Sequence, residues 1–463
     1  MVAIYNSFTR LKEPLKPIEP KKIRMYVCGM TVYDFCHIGH ARVMVVFDMV
    51  ARYLRSIGFD LLYVRNITDI DDKIIDHANS NNESITDLTK RYIESMNKDA
   101  DALGVLPPDI EPKATEHMKE IIEMISTLIK RKHAYLGENS DVYFDVSSFD
   151  AYGKLSGKNI EELRAGERVE VQKEKNDPLD FVLWKAAKKG EPSWPSPWGD
   201  GRPGWHIECS AMSTHCLGNH FDIHGGGQDL QFPHHENEIA QSVCSTGEGF
   251  ANIWMHNGFV RVDEEKMSKS LGNFFTIREV LKKYQPEVVR FFILSSHYRS
   301  PLNYSTDNLD EAKSALTRLY TALRDTEDDS SASIDESYIT KFNSYMDDDF
   351  NTPRAISLLH EIAKKLNRNE DKSIAEVKRL ALTLKRIGSI LGLLESVPQH
   401  FLQGKENESR GSAGTDHIND LIRQRNIARD EKNFARADEI RKQLTELDIS
   451  LEDTEDGTDW RRN

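Results

Sequence analysis

Residues 23–67, IRMYVCGMTVYDFCHIGHARVMVVFDMVARYLRSIGFDLLYVRNI, decide the fold. The run 23–28 is short and β-prone, and 29–37 follows as a loop. Residues 38–57 are mostly apolar on every face, as expected of a helix packed against a parallel sheet. Gly58 stops that helix, and 61–67 reads as the next strand. Strand, loop, helix and strand make a βαβ unit, so the expected class is α/β with a doubly wound, Rossmann-like parallel sheet as the core. His37 and His40 lie at the N-terminal end of the helix, whose free amides and positive dipole stabilise an anion. Their imidazoles add donors for phosphate oxygens, and Gly39 leaves room for a flat ring against the backbone. Taken alone, the two histidines serve equally well as helix caps or core residues.

Outward from this unit the texture changes between about 116 and 197. A helix at 118–132, a strand at 142–146 and a Trp/Pro/Gly-rich stretch at 192–204 read as an α+β insertion between two halves of the sheet. The second half resumes with a helix near 207–216, a strand at 221–224 and a helix from Pro233; 253–262 then leads into a lysine-bearing loop. Beyond Ser300 the periodicity is helical only, at 307–324, 335–350, 353–367 and 374–394. Residues 404–416 are Gly/Ser/polar and read as a linker. Two short helices, 418–431 and 434–447, hinge at Asn433 and precede the alternating Ile449 and Leu451 and an Asp456-Gly457 hairpin turn. The expected domains are 1–115 and 198–300 for the halves of the core, 116–197 for the insertion, 301–400 for an all-α bundle and 417–463 for a small α+β module.

A chain of 463 residues is too long for one core, which agrees with that division. No 18-residue apolar run is present, and residues 1–9 lack a charged segment followed by an apolar block, so a cytoplasmic protein without a membrane partner is expected. The five cysteines (28, 36, 209, 216, 244) are odd in number and scattered, which argues against a disulfide framework and leaves metal binding or catalysis open. A net charge of −14 lowers the expectation of nucleic-acid binding without excluding it, because phosphate contacts depend on local basic surface. No coiled coil or apolar surface helix argues for a dimer, so a monomer with no obligate protein partner is expected.

Lys266-Met267-Ser268-Lys269-Ser270 stands more than 200 residues beyond His37-Ile38-Gly39-His40. Lys266 and Lys269 put mobile positive charge on a loop whose only apolar anchor is Met267. Such charge stabilises phosphates that gain charge as a reaction proceeds; a solvated loop is the bland alternative. Gly225-Gly226-Gly227-Gln228-Asp229 follows a strand, permits close approach of a ligand, and offers Asp229 as acceptor for a ribose or amino group, though a plain turn gives the same string. In Pro233-His234-His235-Glu236-Asn237-Glu238, which opens a helix, His234 and Glu238 are four apart and share a face; His235 and Glu236 point elsewhere. With Cys28 and Cys209 they make a chemically sound zinc set, although buried cysteine is often only a small hydrophobe.

The paired His37 and Lys266 motifs resemble the nucleotide-handling motifs of class I aminoacyl-tRNA synthetases. Cys28-Gly29-Met30-Thr31-Val32-Tyr33-Asp34, Trp205-His206-Ile207-Glu208-Cys209-Ser210 and Phe232-Pro233-His234-His235-Glu236-Asn237-Glu238 resemble cysteinyl-tRNA synthetases in particular, and the likeness runs essentially the full length. It implies ATP-dependent activation of L-cysteine, with Mg2+ accompanying ATP, release of pyrophosphate, and transfer to the 3'-terminal adenosine of tRNA(Cys). It implies one zinc ion on Cys28, Cys209, His234 and Glu238. ATP is then expected at His37, Gly39, His40, Gly226, Asp229 and Lys269, with His37, His40, Lys266 and Lys269 as the catalytic set.

The case for zinc has its own physical footing. Shape alone separates cysteine from nearly isosteric serine by only about 100-fold. A bound metal instead tests ligand softness, since a coordinated thiol ionises readily and a hydroxyl does not. Trp205 and His224 flank this region as candidate pocket walls, and Thr68, ending the second strand, is a candidate for the substrate's ammonium or carboxylate; an aromatic and a strand-end threonine are more often structural.

The helical segment beyond Asp307 resembles the stem-contact bundle of the class. Residues 423–442 hold seven Lys/Arg against four Asp/Glu. Such a run is usually a solvated helix face, but beside Phe434 it suits single-stranded anticodon bases. Arg429, Phe434, Asp438, Asp453 and Trp460 are the candidates. Two other functions share parts of this pattern: a ligase joining cysteine to an amino sugar, which has no need of the module after Asp416, and a non-catalytic tRNA-binding paralogue, which has no need of an intact Lys266 loop.

Overall fold

The computed structural model describes the chain except for 159–174, 189, 263–264, 267–273, 325, 327–332, 369–372, 405–414, 455–456 and 463, with backbone only at 265–266 and 454. It forms two compact units. The first comprises Met1–Ile277, Ser296–Asn303 and Tyr345–Asn351; the second comprises Arg278–Ser295, Tyr304–Ser344 and Thr352–Asn463.

The first unit is built on four parallel strands in the spatial order Ala251–Asn257, Phe221–Gly227, Lys22–Val27, Asp60–Arg65. The chain starts at the inner strand Lys22–Val27, steps outward to Asp60–Arg65, and later returns on the other side with Phe221–Gly227 and Ala251–Asn257. The direction of winding therefore reverses between Lys22–Val27 and Phe221–Gly227, and ligands of such sheets bind at the carboxyl ends of the two strands that flank the reversal.

Helix Ile38–Ser56 makes the first crossover and buries residues around its whole circumference, from Val45 and Val46 to Phe47, Met49 and Val50. This is why its sequence lacks a polar face. The Phe47 ring occupies the space a side chain at position 225 would need: a Cβ on Gly225 would stand 2.3 Å from it. Truncating such a buried phenylalanine costs about 3–5 kcal/mol.

The insertion forms a four-stranded antiparallel sheet in the order Ala134–Leu136, Val142–Phe144, Phe181–Ala186, Gly201–Pro203, preceded by helix Met118–Lys130. Its last strand lies beyond 197, so the sheet reaches into the segment assigned from sequence to the second half of the core. Polar contacts tie it to the helix that follows Phe232. Tyr152 donates its hydroxyl to Asn237 Oδ1 (2.5 Å), and the buried Glu236 carboxylate accepts the Ser156 N–H (2.8 Å).

Two helices, Asp72–Asn81 and Ile85–Ala102, fill a stretch without a clear apolar periodicity. Their signals are local ones: Asp71 caps Lys73 N–H, Ser84 caps Asp87 N–H, and Asn82 takes a left-handed conformation between them.

The second unit is helical, with Pro286–Ser295, Thr306–Leu323, Thr352–Asn367, Ile374–Ile390 and Pro398–Gln403. Leu309, Ala312, Leu316, Leu319, Tyr320 and Leu323 recur three or four apart and supply the buried stripe of Thr306–Leu323. Helices Thr415–Asp430 and Phe434–Glu446 and the hairpin Ile449–Thr454/Gly457–Arg462 follow, around a separate small core of Ile418, Ile422, Ile440, Leu444, Ile449 and Trp460.

Candidate metal and nucleotide site

At the carboxyl ends of Lys22–Val27 and Phe221–Gly227 lies a cavity of about 350 Å3. Cys28, His37, His40, Thr68, Trp205 and Cys209 are among its walls, joined by Asp229 and His234. The chain can turn away at the end of the first strand because residue 29 is glycine: a Cβ there would stand 1.7 Å from the Asn66 carbonyl oxygen, and Asn66 Oδ1 accepts the Gly29 N–H at 2.8 Å.

Cys28, Cys209, His234 and Glu238 bring one donor atom each to within 4.8 Å of one another, and all four are buried. Tetrahedral zinc, with bonds of about 2.0–2.3 Å, separates its ligands by about 3.3–3.8 Å, so little movement is required. Cys28 comes from a strand end and Cys209 from helix Trp205–Leu217. His234 lies in the irregular turn Gln231–His235 and Glu238 in the first turn of Glu236–Thr246. The regular helix begins after Pro233, yet the His234 Nε2 to Glu238 Oε1 distance is 3.1 Å.

Charge at this cluster is balanced locally. Burial and the Cys209 sulfur push the Cys28 thiol well up, whereas Cys28 and the His234 imidazole pull Cys209 down to about 6. Burial opposes a charge on His234, but Glu238 and Cys209 outweigh it and raise its pKa to about 10. Burial likewise opposes the Glu238 carboxylate, which His224 and His234 nevertheless hold well below the usual carboxylate range. The Cys28 thiol reaches Glu238 Oε1 at 3.3 Å, and His224 Nε2 binds Glu238 Oε2 at 2.9 Å.

His224 therefore stands behind Glu238, stacked on Trp254 with ring centroids 4.3 Å apart, and does not line the cavity. Trp205 does line it, 38% exposed, with its ring stacked on His234 at 4.3 Å. A second set of donors, Cys28, His224, His235 and Glu238, is equally close-packed. His235, set aside in the sequence because of its helical phase, is buried against His256, with Nδ1 2.8 Å from the other ring's Nε2.

At the phosphate end, the His37 and His40 rings stack at 3.7 Å. Each accepts the other's backbone N–H on Nδ1, both at 3.3 Å, so the pair caps helix Ile38–Ser56 reciprocally. In a neutral imidazole that arrangement leaves Nε2 as the N–H donor. The capping and anion-binding readings of these histidines are therefore compatible, since each ring uses one nitrogen for each task.

Asp229 and Gly227 border the cavity. Gly226 instead backs onto His235, whose ring a Cβ would meet at 2.9 Å. Thr68 is buried at the cavity edge and receives the Asn66 side-chain N–H at 3.3 Å. Lys269 lies outside the described residues, and Lys266 is described only through its backbone, which pairs with Arg261. The chain after the loop returns to the site: the Phe274 ring stands edge-on to His37 at 5.1 Å, and Ile38 N–H reaches Phe275 O at 3.2 Å.

Three further side chains contribute to the site without a signal in the sequence. His206 Nδ1 lies 2.8 Å from His234 Nδ1 and orients that ring. Arg42 is buried and donates to the carbonyls of Gly258, Phe259, His297, Tyr298 and Ser300. Lys73, over the Tyr33 ring at 5.6 Å, lines the cavity mouth. None carries a spacing signal, because each partner is distant in sequence.

In the C-terminal module Phe434 is 63% exposed, Arg429 and Asp438 are exposed, and Asp453 accepts from Arg425 and Arg429 at 2.8–3.0 Å. Trp460 is only 4% exposed, donates to Asn419 Oδ1 at 3.0 Å and belongs to the small core, so its faces are not presented for stacking.

Comparison with known proteins agrees with this architecture. The model of the class I (C) tRNA synthetase catalytic domain matches residues 14–314, a DALR domain matches 341–395, and a cysteinyl-tRNA ligase anticodon binding domain matches 413–461. The proteins named cysteine–tRNA ligase from Methylococcus capsulatus and Thioalkalivibrio sulfidiphilus are each 62% identical, over 100% of this chain and of the relative. Methionyl-tRNA synthetase of Mycobacterium tuberculosis, solved with methionyl-adenylate, shares the fold at a TM-score of 0.56 and 14% identity, covering 84% of this chain and 92% of that one. With a strand-end cysteine, a distant helix and an irregular turn meeting beside a histidine-capped helix, and with relatives alike from end to end, the chain belongs to the cysteine–tRNA ligases of the class I aminoacyl-tRNA synthetases.

Proposed function

We propose that this chain activates L-cysteine with ATP to cysteinyl-adenylate, releases pyrophosphate, and transfers the cysteinyl group to the 3'-terminal adenosine of tRNA(Cys) in the cytoplasm. The observation that carries this reading is the buried Cys28, Cys209, His234 and Glu238 set beside the cavity that His37 and His40 also line. The amino-sugar ligase and non-catalytic readings are not favoured, because the relatives named cysteine–tRNA ligase match the whole chain.

The four side chains suit zinc by number, softness and burial. Zinc, when bound, supplies a soft Lewis acid that ionises and holds a thiol and grips a hydroxyl poorly. His206 orients His234, and His224 holds the Glu238 carboxylate in place. Trp205 and Thr68 line the cavity, and the Thr68 hydroxyl is assigned to the substrate's ammonium or carboxylate. His37 and His40 direct Nε2–H donors to the phosphates of ATP, which brings Mg2+ with it, and Asp229 takes the ribose or adenine amino group. Lys266 and Lys269 stabilise the charge that builds on the departing pyrophosphate, selectively in the transition state. No side-chain nucleophile is involved; positioning and electrostatics carry the chemistry.

For tRNA, a groove of about 330 Å3 in the second unit is lined by Lys313, Ser314, Thr317, Arg318, Arg461 and Arg462, a local excess of positive charge on an acidic chain. Arg429 and exposed Phe434 are assigned to the anticodon bases.

The test is cysteine-dependent ATP–pyrophosphate exchange by the full-length, zinc-loaded chain, followed by charging of a tRNA(Cys) transcript. Exchange and charging are both expected with cysteine, and neither with serine. Exchange without charging would point to a different acceptor, and absence of exchange would sink both steps.

A further inference from the structure

Among the described residues, the lysine and arginine side chains that wall the cavity are Arg42 and Lys73. Arg42 is committed to backbone carbonyls, those of Gly258, Phe259 and Tyr298 among them. Lys73 is exposed and has no ion pair among the described residues; its ammonium stands over the Tyr33 ring, 5.6 Å from the centroid. A cation on an aromatic face is held weakly at an exposed position, so an anion displaces that contact readily. The acids beside it in sequence are turned elsewhere. Asp71 accepts the Lys73 backbone N–H at 2.9 Å and caps the helix, and Asp72 pairs with Lys185 and Arg202 of the insertion sheet. Those pairs hold the first turn of helix Asp72–Asn81 against the insertion, so Lys73 is carried on an anchored element at the cavity mouth.

Its place on the sheet indicates which anion it meets. Gly227 and Asp229, on the nucleotide side of the cavity, follow strand Phe221–Gly227, whereas Lys73 follows strand Asp60–Arg65. The strand that ends in Cys28 lies between those two. Lys73 therefore faces the cavity from the edge opposite the ATP residues. The other substrate brought to this cavity is the terminal adenosine of the tRNA, which carries a single phosphate, the diester to the nucleotide before it. One ammonium matches that one charge.

We propose that Lys73 binds the phosphodiester joining the terminal adenosine of the tRNA to the nucleotide before it, and so holds the 3' end over the activated cysteine for the transfer step. The proposal rests on the tRNA-charging function above. It gives Lys73 a part in the second step that is separate from the part of His37, His40 and the lysine loop in the first.

The test is steady-state charging of tRNA(Cys) by the full-length, zinc-loaded chain. Lys73→Met keeps the aliphatic stem and removes the charge. The KM for tRNA is expected to rise about 10-fold. Because one phosphate contact to a single strand is lost, the slope of log KM against log salt is expected to flatten by about 0.7. Lys73→Arg, which keeps the charge, is expected to recover most of the loss. A second arm uses tRNA(Cys) with an uncharged methylphosphonate at that one linkage. The unmodified chain should charge it with a similar penalty, and Lys73→Met should add none to it, since both changes remove the same contact. Additive penalties, or a salt slope that Lys73→Met does not move, overturn the proposal. So does a KM for ATP in pyrophosphate exchange that rises as much as the KM for tRNA, which would assign Lys73 to ATP. Absence of charging by the unmodified chain overturns the function reading, and this proposal with it.

Discussion

Cys209 differs from Cys216 and Cys244 in its electrostatic setting. Its pKa is drawn down to about 6 by Cys28 and His234, whereas burial pushes Cys244 up to about 12 and Cys216 upward. A thiol grouped with other metal-ligating side chains is suited to bind metal, and one raised by burial away from such a group is only a small hydrophobe. Cys209→Ser should lower zinc affinity by at least about 100-fold, beyond the 10–100-fold typical of losing an orienting partner. Cys216→Ser should leave one zinc per chain. Metal analysis after dialysis against a chelator separates the two, and retention of full stoichiometry by Cys209→Ser would remove it from the ligand set. The sequence could propose Cys209, because the residue type and its block carry the signal. It could not place His224, whose role depends on a neighbouring strand bringing it behind Glu238.

Among the elements, helix Ile38–Ser56 was legible almost to the residue, since its apolar circumference and the Gly58 stop are both local signals. Helices Asp72–Asn81 and Ile85–Ala102 were not, because their apolar positions are diluted by charge and only the caps mark them. Arg42 shows a third case, a charge on the buried face of the first helix. Burial lowers its pKa to about 10, but five carbonyl oxygens around it, including those of Gly258 and Phe259 at 2.9–3.0 Å, still favour the cation. Phe259 lines the cavity and precedes the strand Val260–Val262, which pairs with Glu265–Lys266 at the start of the lysine loop. Arg42 thus fixes the base of that loop to the helix that His37 caps. Arg42→Met keeps most of the volume but strands the carbonyls, so chemical denaturation should show a loss of about 3–5 kcal/mol, with a raised KM for ATP. Unchanged stability would mean that water replaces the guanidinium. Lys269→Ala acts beyond that base: pyrophosphate exchange should slow by about 100-fold while the KM for cysteine stays nearly the same. An equal loss of cysteine affinity would place Lys269 in binding rather than in transition-state stabilisation.

For the whole molecule, the parallel core, the insertion, the helical region and the terminal module were all readable from pattern, but the partition of the chain between units was not. Residues 278–295 join the second unit and 345–351 the first, through contacts between segments far apart in sequence. Tyr298 donates to Asp349 at 2.7 Å, for instance, across the stretch Tyr304–Ser344 that belongs to the second unit. The terminal module has its own core, formed by Ile418, Ile440, Ile449 and Trp460, and is joined to the helices before it by contacts such as Arg324 to Glu452 at 2.6 Å and Arg462 to the Gln403 carbonyl at 3.1 Å. Ion pairs of this partly exposed kind contribute only about 0–1 kcal/mol each. Removing the module should therefore leave the remainder folded, with its cavity unchanged. A chain ending at residue 403 is expected to perform pyrophosphate exchange within about two-fold of the full chain, since among the described residues the cavity's walls end at Val260 and the lysine loop also lies well before residue 403. Its charging of tRNA(Cys) should fall by about 100-fold or more, because base stacking of about 1–3 kcal/mol per base and the arginines of the basic groove are lost together. Charging at the full-length rate would show that the acceptor end alone directs the tRNA to the cavity, and that Arg429, Phe434 and Arg461 take no part in selecting it.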